Sequence, residues 1–179
     1  MIRSLLSRGA AAALSLVVIV GCSNNDNSAS DLAASSATDG PKGGVVVNEV
    51  FPHGTDPVTD PDWVELKNIS SAAVDLSGYK VRDETTSAAL PAGTSLRPGE
   101  YLVIYCDDVP DGGAAQNIHV PFKLGTKDEF YLILPNGDKA DGVTWAKDSI
   151  PTDKSYGRLP DGTGGFNLLK PTKGARNGV

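Results

Sequence analysis

The sequence predicts an all-β sandwich, on three observations. Apolar residues recur at every second position over short stretches. Turn residues separate those stretches at roughly 8–12-residue spacing. No window repeats apolar residues at the spacing of a helix. The clearest case is Asp62 to Asp83, DWVELKNISSAAVDLSGYKVRD, on which the remaining strands are read as layers. Val64 and Leu66 fall on one face and Trp63, Glu65 and Lys67 on the other, the alternation of a half-buried strand. Asn68, Ser70 and Ser71 bond locally to backbone and release the chain from the ladder. Alternation resumes at Val74-Asp75-Leu76, and Ser77-Gly78 turns the chain into Tyr79-Lys80-Val81-Arg82, where Tyr79 and Val81 share a face.

The other elements follow in chain order. Residues 1–21 carry Arg3 and Arg8 without an acid, then an apolar run from Ala10 to Val20 broken only by Ser15, then Gly21. A basic end, a short apolar stretch and small residues are the pattern of a secretory signal. The run is too short for a membrane span, which needs roughly 20 apolar residues. Ile19-Val20-Gly21-Cys22 resembles the bacterial lipobox. That resemblance implies cleavage before Cys22, a diacylglycerol on its thiol and an acyl chain such as palmitate on the new amino terminus. Each buried methylene adds about 0.8 kcal/mol of membrane affinity, so several chains hold a protein stably at a bilayer. Ser23 stands where an Asp would resemble an inner-membrane retention signal, which favours the outer membrane in a Gram-negative cell.

Residues 22–44 are Ser, Ala, Asn, Asp and Gly with almost no large apolar side chain, and read as a lipidated, disordered tether. As a flexible coil it holds the domain roughly 25 Å from the lipid on average, and about 75 Å when fully stretched. The folded domain is expected over 45–179. Val45 to Val50 is a β-branched run placed inside a sheet, and Phe51 to Pro61 is a loop dense in Pro, Gly and Asp. Ala88 to Gly99 reads as a loop with one short edge strand at Thr94-Ser95-Leu96. Tyr101 to Cys106 is continuously apolar and predicts a strand covered on both faces. After the polar loop Asp107 to Gln116, Ile118 to Leu124 is an edge strand, since Pro121 argues against a central place. Phe130 to Leu134 is a second buried strand, and Asn136-Gly137 predicts a tight hairpin into Ala140 to Trp145. Ser155 to Leu159 and Phe166 to Leu169 close the domain around the turn Pro160-Asp161-Gly162.

Several of these pieces resemble the lamin tail domain family. They are Val47-Asn48-Glu49-Val50, Asp62 to Asn68, Val74 to Tyr79, Leu96 to Ile104, Ser155 to Gly162, and Pro171-Thr172 through Asn177, in the family's order. The resemblance implies an immunoglobulin-like β-sandwich that serves as an interaction module in lamins and as an accessory or stand-alone domain in exported bacterial proteins. It implies no shared catalytic residues. Fold alone does not assign function.

Charge and side-chain chemistry narrow the classes. The chain carries a net −6, and loss of Arg3 and Arg8 with the leader leaves 14 basic against 22 acidic residues, a net of −8. Such a surface repels phosphate backbones, so no nucleic-acid partner is expected. With Cys22 taken by lipid, Cys106 has no disulfide partner in its chain, and the fold must stand on its core. A domain of about 135 residues is long enough for that.

Glu49 and Glu65 are a potential acid/base or metal pair, but the expectation is that they face solvent or pair with Lys or Arg. Asp56, Asp60 and Asp62 crowd one loop, and Asp107, Asp108 and Asp111 another. Calcium is the alternative there to ordinary turn chemistry. His53 and His119 have no ligand at zinc spacing. Cys106 ends an apolar strand and reads as an inert core thiol. Neither a Gly-x-Ser-x-Gly elbow nor a phosphate loop is present. Trp63 is either an exposed anchor or covered by a loop or a second sheet, with coverage expected.

The sequence reading is therefore a lipid-anchored envelope module that binds a protein or polysaccharide, without a cofactor and without catalysis of its own. A metal-dependent hydrolase or nuclease accessory using acidic loops, and a purely structural envelope component, are the alternatives.

Overall fold

Strand periodicity sorts the chain into three sheets. The computed structural model describes residues 41–56, 59–109 and 117–178, which belong to a compact unit running from Asp39 to Val179. Cys22, the leader and residues 23–40 of the tether lie outside the described residues, as does Asp111. The strands are β1 (Val45–Phe51), β2 (Asp62–Asn68), β3 (Val74–Asp75), β4 (Lys80–Arg82), β5 (Ser87–Ala89), β6 (Ser95–Leu96), β7 (Tyr101–Cys106), β8 (Ile118–Val120), β9 (Asp128–Ile133), β10 (Lys139–Trp145), β11 (Ser155–Leu159) and β12 (Gly165–Leu169). No helix occurs among the described residues.

A six-stranded sheet runs in the order β12-β11-β1-β2-β7-β8, and a four-stranded sheet in the order β10-β9-β4-β5. The pair β3-β6 makes a small third sheet. Every pairing is antiparallel except β7 with the edge strand β8. This is an all-β, immunoglobulin-like sandwich. The core lies between the two larger sheets, with Val47, Val64, Leu66 and Ile104 from one meeting Val81, Phe130 and Leu132 from the other. Each such side chain contributes roughly 1.5–3 kcal/mol when fully buried.

The three strands expected within Asp62 to Asp83 form, and each enters a different sheet, because each short turn sends the chain to a new layer. One expectation is corrected here. Tyr101 to Cys106 was expected to be covered on both faces. It alternates, with Leu102, Ile104 and Cys106 buried and Tyr101, Val103 and Tyr105 half-buried. Aromatic and β-branched residues on its outer face hid the period.

The hairpin at Asn136-Gly137 forms, but only Gly137 takes a positive φ, of 92°. Asn136 instead accepts the Asp138 N–H on its Oδ1 at 3.0 Å. Just ahead of β1, the Lys42 N–H donates to Ala140 O at 2.8 Å and Gly44 O accepts from Ile69 N–H at 2.9 Å.

Phe130 is fully buried, whereas Leu168 keeps 49% of its surface exposed. Phe130→Ala is expected to cost about 3–5 kcal/mol in urea unfolding. Leu168→Ala should cost below about 1 kcal/mol. Equal losses would contradict this assignment of faces.

Candidate functional site

The outer face of the six-stranded sheet, away from the core, holds the densest polar chemistry of the described residues. It starts from one extra residue. The β1–β2 register runs Val47 opposite Leu66 and then Glu49 opposite Glu65, so Asn48 is a bulge. A bulge puts an unpaired residue beside its neighbour and disrupts the local ladder. The Asn48 and Glu49 side chains both reach groups on the outer face, and the polar groups of Val47 are bonded by side chains from elsewhere. The Val47 N–H donates to Asp141 Oδ2 at 2.8 Å, and Val47 O accepts from Arg158 Nε at 2.8 Å. Arg158 Nη2 donates to both Asp141 oxygens at 3.0 and 2.9 Å. That forked pair ties β11 to β10 across the two sheets.

Glu49 and Glu65 sit side by side and are fully buried. The expectation that they face solvent or meet Lys or Arg is corrected, because a C-terminal strap covers them. Glu65 Oε2 accepts the Gly174 N–H at 2.7 Å and Oε1 accepts Asn48 Nδ2 at 2.9 Å. Glu49 accepts the Thr172 N–H at 3.1 Å, the Thr172 hydroxyl at 2.7 Å and the Ser155 hydroxyl. Further along the strap, the Asn177 N–H donates to Asp161 Oδ1 at 3.2 Å. Asn177 Nδ2 donates to Asn48 O at 3.1 Å and Arg158 O at 3.0 Å. Gly157 leaves the room this needs, since a Cβ there would lie 2.8 Å from Asn177 Nδ2 and 3.1 Å from Glu49 Cγ.

Asp161 closes the network. It accepts from Lys67 Nζ, from the Tyr101 hydroxyl at 2.8 Å and from Asn48 Nδ2 at 3.0 Å. Burial would raise its pKa, but these donors outweigh that and hold it below the ordinary value. Burial pushes Lys67 down, and its bonds to Asp161 and Tyr101 outweigh it and leave the ammonium above its usual value.

Beside the carboxylates runs a row of aromatic rings. The register places Phe51 opposite Trp63, Trp63 opposite Tyr105, and Tyr105 opposite His119. Phe51 stacks on Trp63 with centroids 5.7 Å apart, and Tyr105 stacks on His119 at 5.2 Å. Lys173 of the strap lies over Trp63 at 5.8 Å and over Tyr105 at 5.3 Å. Trp63 is covered, 2% exposed.

The remaining candidates do not converge. Asp56 Oδ1 accepts the Thr59 N–H at 2.8 Å, and Asp60 Oδ2 accepts the Thr55 hydroxyl at 3.0 Å. Asp62 accepts the N–H groups of Gly54 at 2.7 Å and Leu124 at 3.0 Å. These are turn and loop bonds. Asp108 has a positive φ of 68°. A cleft of about 220 Å³ is lined by Gly54, Asp56, Asp62, Cys106 and Lys123. It is smaller than the roughly 300–1,000 Å³ of ligand pockets. Cys106 is buried, and that burial pushes its thiol well above its ordinary value, away from the reactive thiolate. His53 Nε2 contacts Ile150 O at 2.6 Å. His119 Nδ1 meets Asp107 Oδ2 at 2.5 Å, an acid–histidine pair that sequence reading missed. Its signal was the edge strand Ile118–Val120, whose parallel pairing with β7 sets His119 beside Tyr105.

Chemically, the clasp has a pH window. Burial raises both Glu49 and Glu65, the latter from 4.5 to about 7, against the hydrogen bonds that favour their ionised forms. Each binds its proton more tightly folded than unfolded. The stability gained is complete below about pH 4.5 and lost as pH rises through about 7. The Glu65 displacement corresponds to about 3 kcal/mol. Urea midpoints are therefore expected to fall between pH 5 and 8, and Glu65→Gln should flatten that fall even though it lowers stability overall. An unchanged slope would contradict the assignment.

The family profile for the lamin tail domain matches residues 38–147, which includes β1 to β10 and ends before β11 and the strap. No curated protein matches the chain. A sandwich of this family supports a binding or structural module. With that match extending over more than half of its residues, the chain belongs to the lamin tail domain family.

Proposed function

We propose that this protein is a lipid-anchored cell-envelope module that acts by binding a protein or polysaccharide and performs no catalysis. The observation that carries the reading is the state of its converging acids. Glu49, Glu65 and Asp161 look on paper like an acid/base or metal cluster, yet their oxygens accept from Asn48, Ser155, Thr172, Gly174, Lys67 and Tyr101. A general base or a metal ligand needs a lone pair open to substrate or ion. Here those lone pairs hold the chain's own cover in place. The clasp fixes a rigid outer face, and rigid faces with half-buried aromatic residues suit recognition.

The address comes from sequence. The Ile19-Val20-Gly21-Cys22 motif supports cleavage and lipidation at Cys22, with the polar stretch after it acting as a spacer from the bilayer. In a Gram-negative cell, Ser23 favours the outer membrane.

Two measurements test the reading. Cys22→Ala should move the protein from the membrane fraction to the soluble fraction of its host, and mass spectrometry of the native protein should find acyl chains on residue 22. The purified chain, offered a panel of glycans, envelope proteins and nucleic acids with calcium or magnesium, should retain selected glycans or proteins unchanged. Turnover of any of them would overturn the binding reading, and an unmodified Cys22 thiol would overturn the anchor.

A further inference from the structure

The aromatic row holds a cation, and that cation is the chain's own. Phe51 and Trp63 form one stack, with ring planes 24° apart, and Tyr105 and His119 form another, 27° apart. Trp63 and Tyr105 are register partners on neighbouring strands, and the Lys173 ammonium lies over both rings, within the roughly 6 Å at which a ring quadrupole attracts a cation. Among the described residues Lys173 makes no ion pair, and it is exposed. The strap backbone is anchored on either side of it, through Thr172 to Glu49 and Gly174 to Glu65. The ammonium can therefore leave the rings by side-chain rotation alone, with the clasp intact.

We propose that the Trp63–Tyr105 slot is a recognition site for a lysine side chain of a protein partner, which takes the place that Lys173 fills in the unbound chain. Three features select that ligand. The resident group is itself a lysine, so the two rings already take a primary ammonium over their faces. The rings offer faces and no carboxylate, so the slot reads a cation without forming a salt bridge. Asp107, bonded to His119 at the end of the row, brings a carboxyl nearby whose second oxygen, Oδ1, is buried without a hydrogen-bond partner among the described residues. The chain's excess of acid favours the approach of a basic partner. Lys173 then acts as a tethered competitor, present at high effective concentration and setting the threshold a partner must exceed.

The inference rests on the binding reading above, and the two fail separately. Turnover in the substrate panel removes the binding reading without touching the slot, and an unresponsive slot leaves partner retention in that panel intact. The experiment is an NMR titration of the full-length chain, observing the Trp63 indole N–H, with Nα-acetyl-lysine methylamide as probe. Its uncharged norleucine counterpart and phosphocholine serve as comparison ligands. Lys173→Ala should give a saturable shift with lysine methylamide at least tenfold tighter than in the unaltered chain, and Tyr105→Leu added to it should abolish the shift. In the unaltered chain, the Lys173 Cε protons should start upfield from ring currents and move to free-lysine values as probe is added, which needs no variant to fold. An absent shift in Lys173→Ala, an equal response to norleucine methylamide, or tighter binding of phosphocholine than of lysine would each overturn the proposal.

Discussion

One inserted residue governs the outer half of this protein. Had β1 and β2 paired without the bulge at Asn48, strict alternation would have turned either Asn48 or Glu49 into the apolar core. The bulge instead lets Asn48 bond Glu65 and Asp161 while Glu49 bonds Ser155 and Thr172. The Val47 polar groups at this irregularity are recovered by Asp141 and Arg158, which join the two large sheets. The carboxylates in turn give the C-terminal strap somewhere to end. An unsatisfied buried polar group costs about 1–3 kcal/mol, more if charged, so bulge, acids and strap stand or fall together.

That dependence explains why a cluster with the composition of an active site is buried and hydrogen-bonded by the chain itself. Buried carboxylates are costly unless hydrogen-bonded. Here the donors are backbone N–H groups, hydroxyls and the Asn48 amide of the same chain, with a lysine at Asp161. Glu49 and Glu65 lack a cationic partner and are raised, whereas Asp161 has Lys67 and is lowered. Two acids that favour their protons beside one that does not make a firm clasp in mildly acidic to neutral conditions. The same face then presents the aromatic row with the Lys173 ammonium laid across it.

The layer structure was legible in the sequence because it rests on local period. Val64 against Leu66, Tyr79 against Val81, and Pro121 as an edge marker each reduce to spacing along a few residues. The burial of Glu49 and Glu65 was not, because alternation says which face a residue takes and nothing about what covers that face. Their cover arrives from 123 and 109 residues away. Tyr101, Val103 and Tyr105 misled for a related reason, since apolar and aromatic residues on a half-buried outer face look like core. His119 and Asp107 are 12 residues apart, joined only by the parallel pairing of β7 and β8. The bulge itself leaves no mark in Val47-Asn48-Glu49-Val50 that a regular strand would lack.

The most direct test of the clasp is amide hydrogen exchange at Thr172, Gly174 and Asn177, expressed as protection relative to the unstructured rate at each pH. If buried carboxylates hold the strap, these three amides are protected at pH 6, and Gly174 loses protection as pH passes 7 while Ile104 in β7 keeps its own. Exchange at unstructured rates for all three at pH 6, or protection that does not change with pH, would contradict the account.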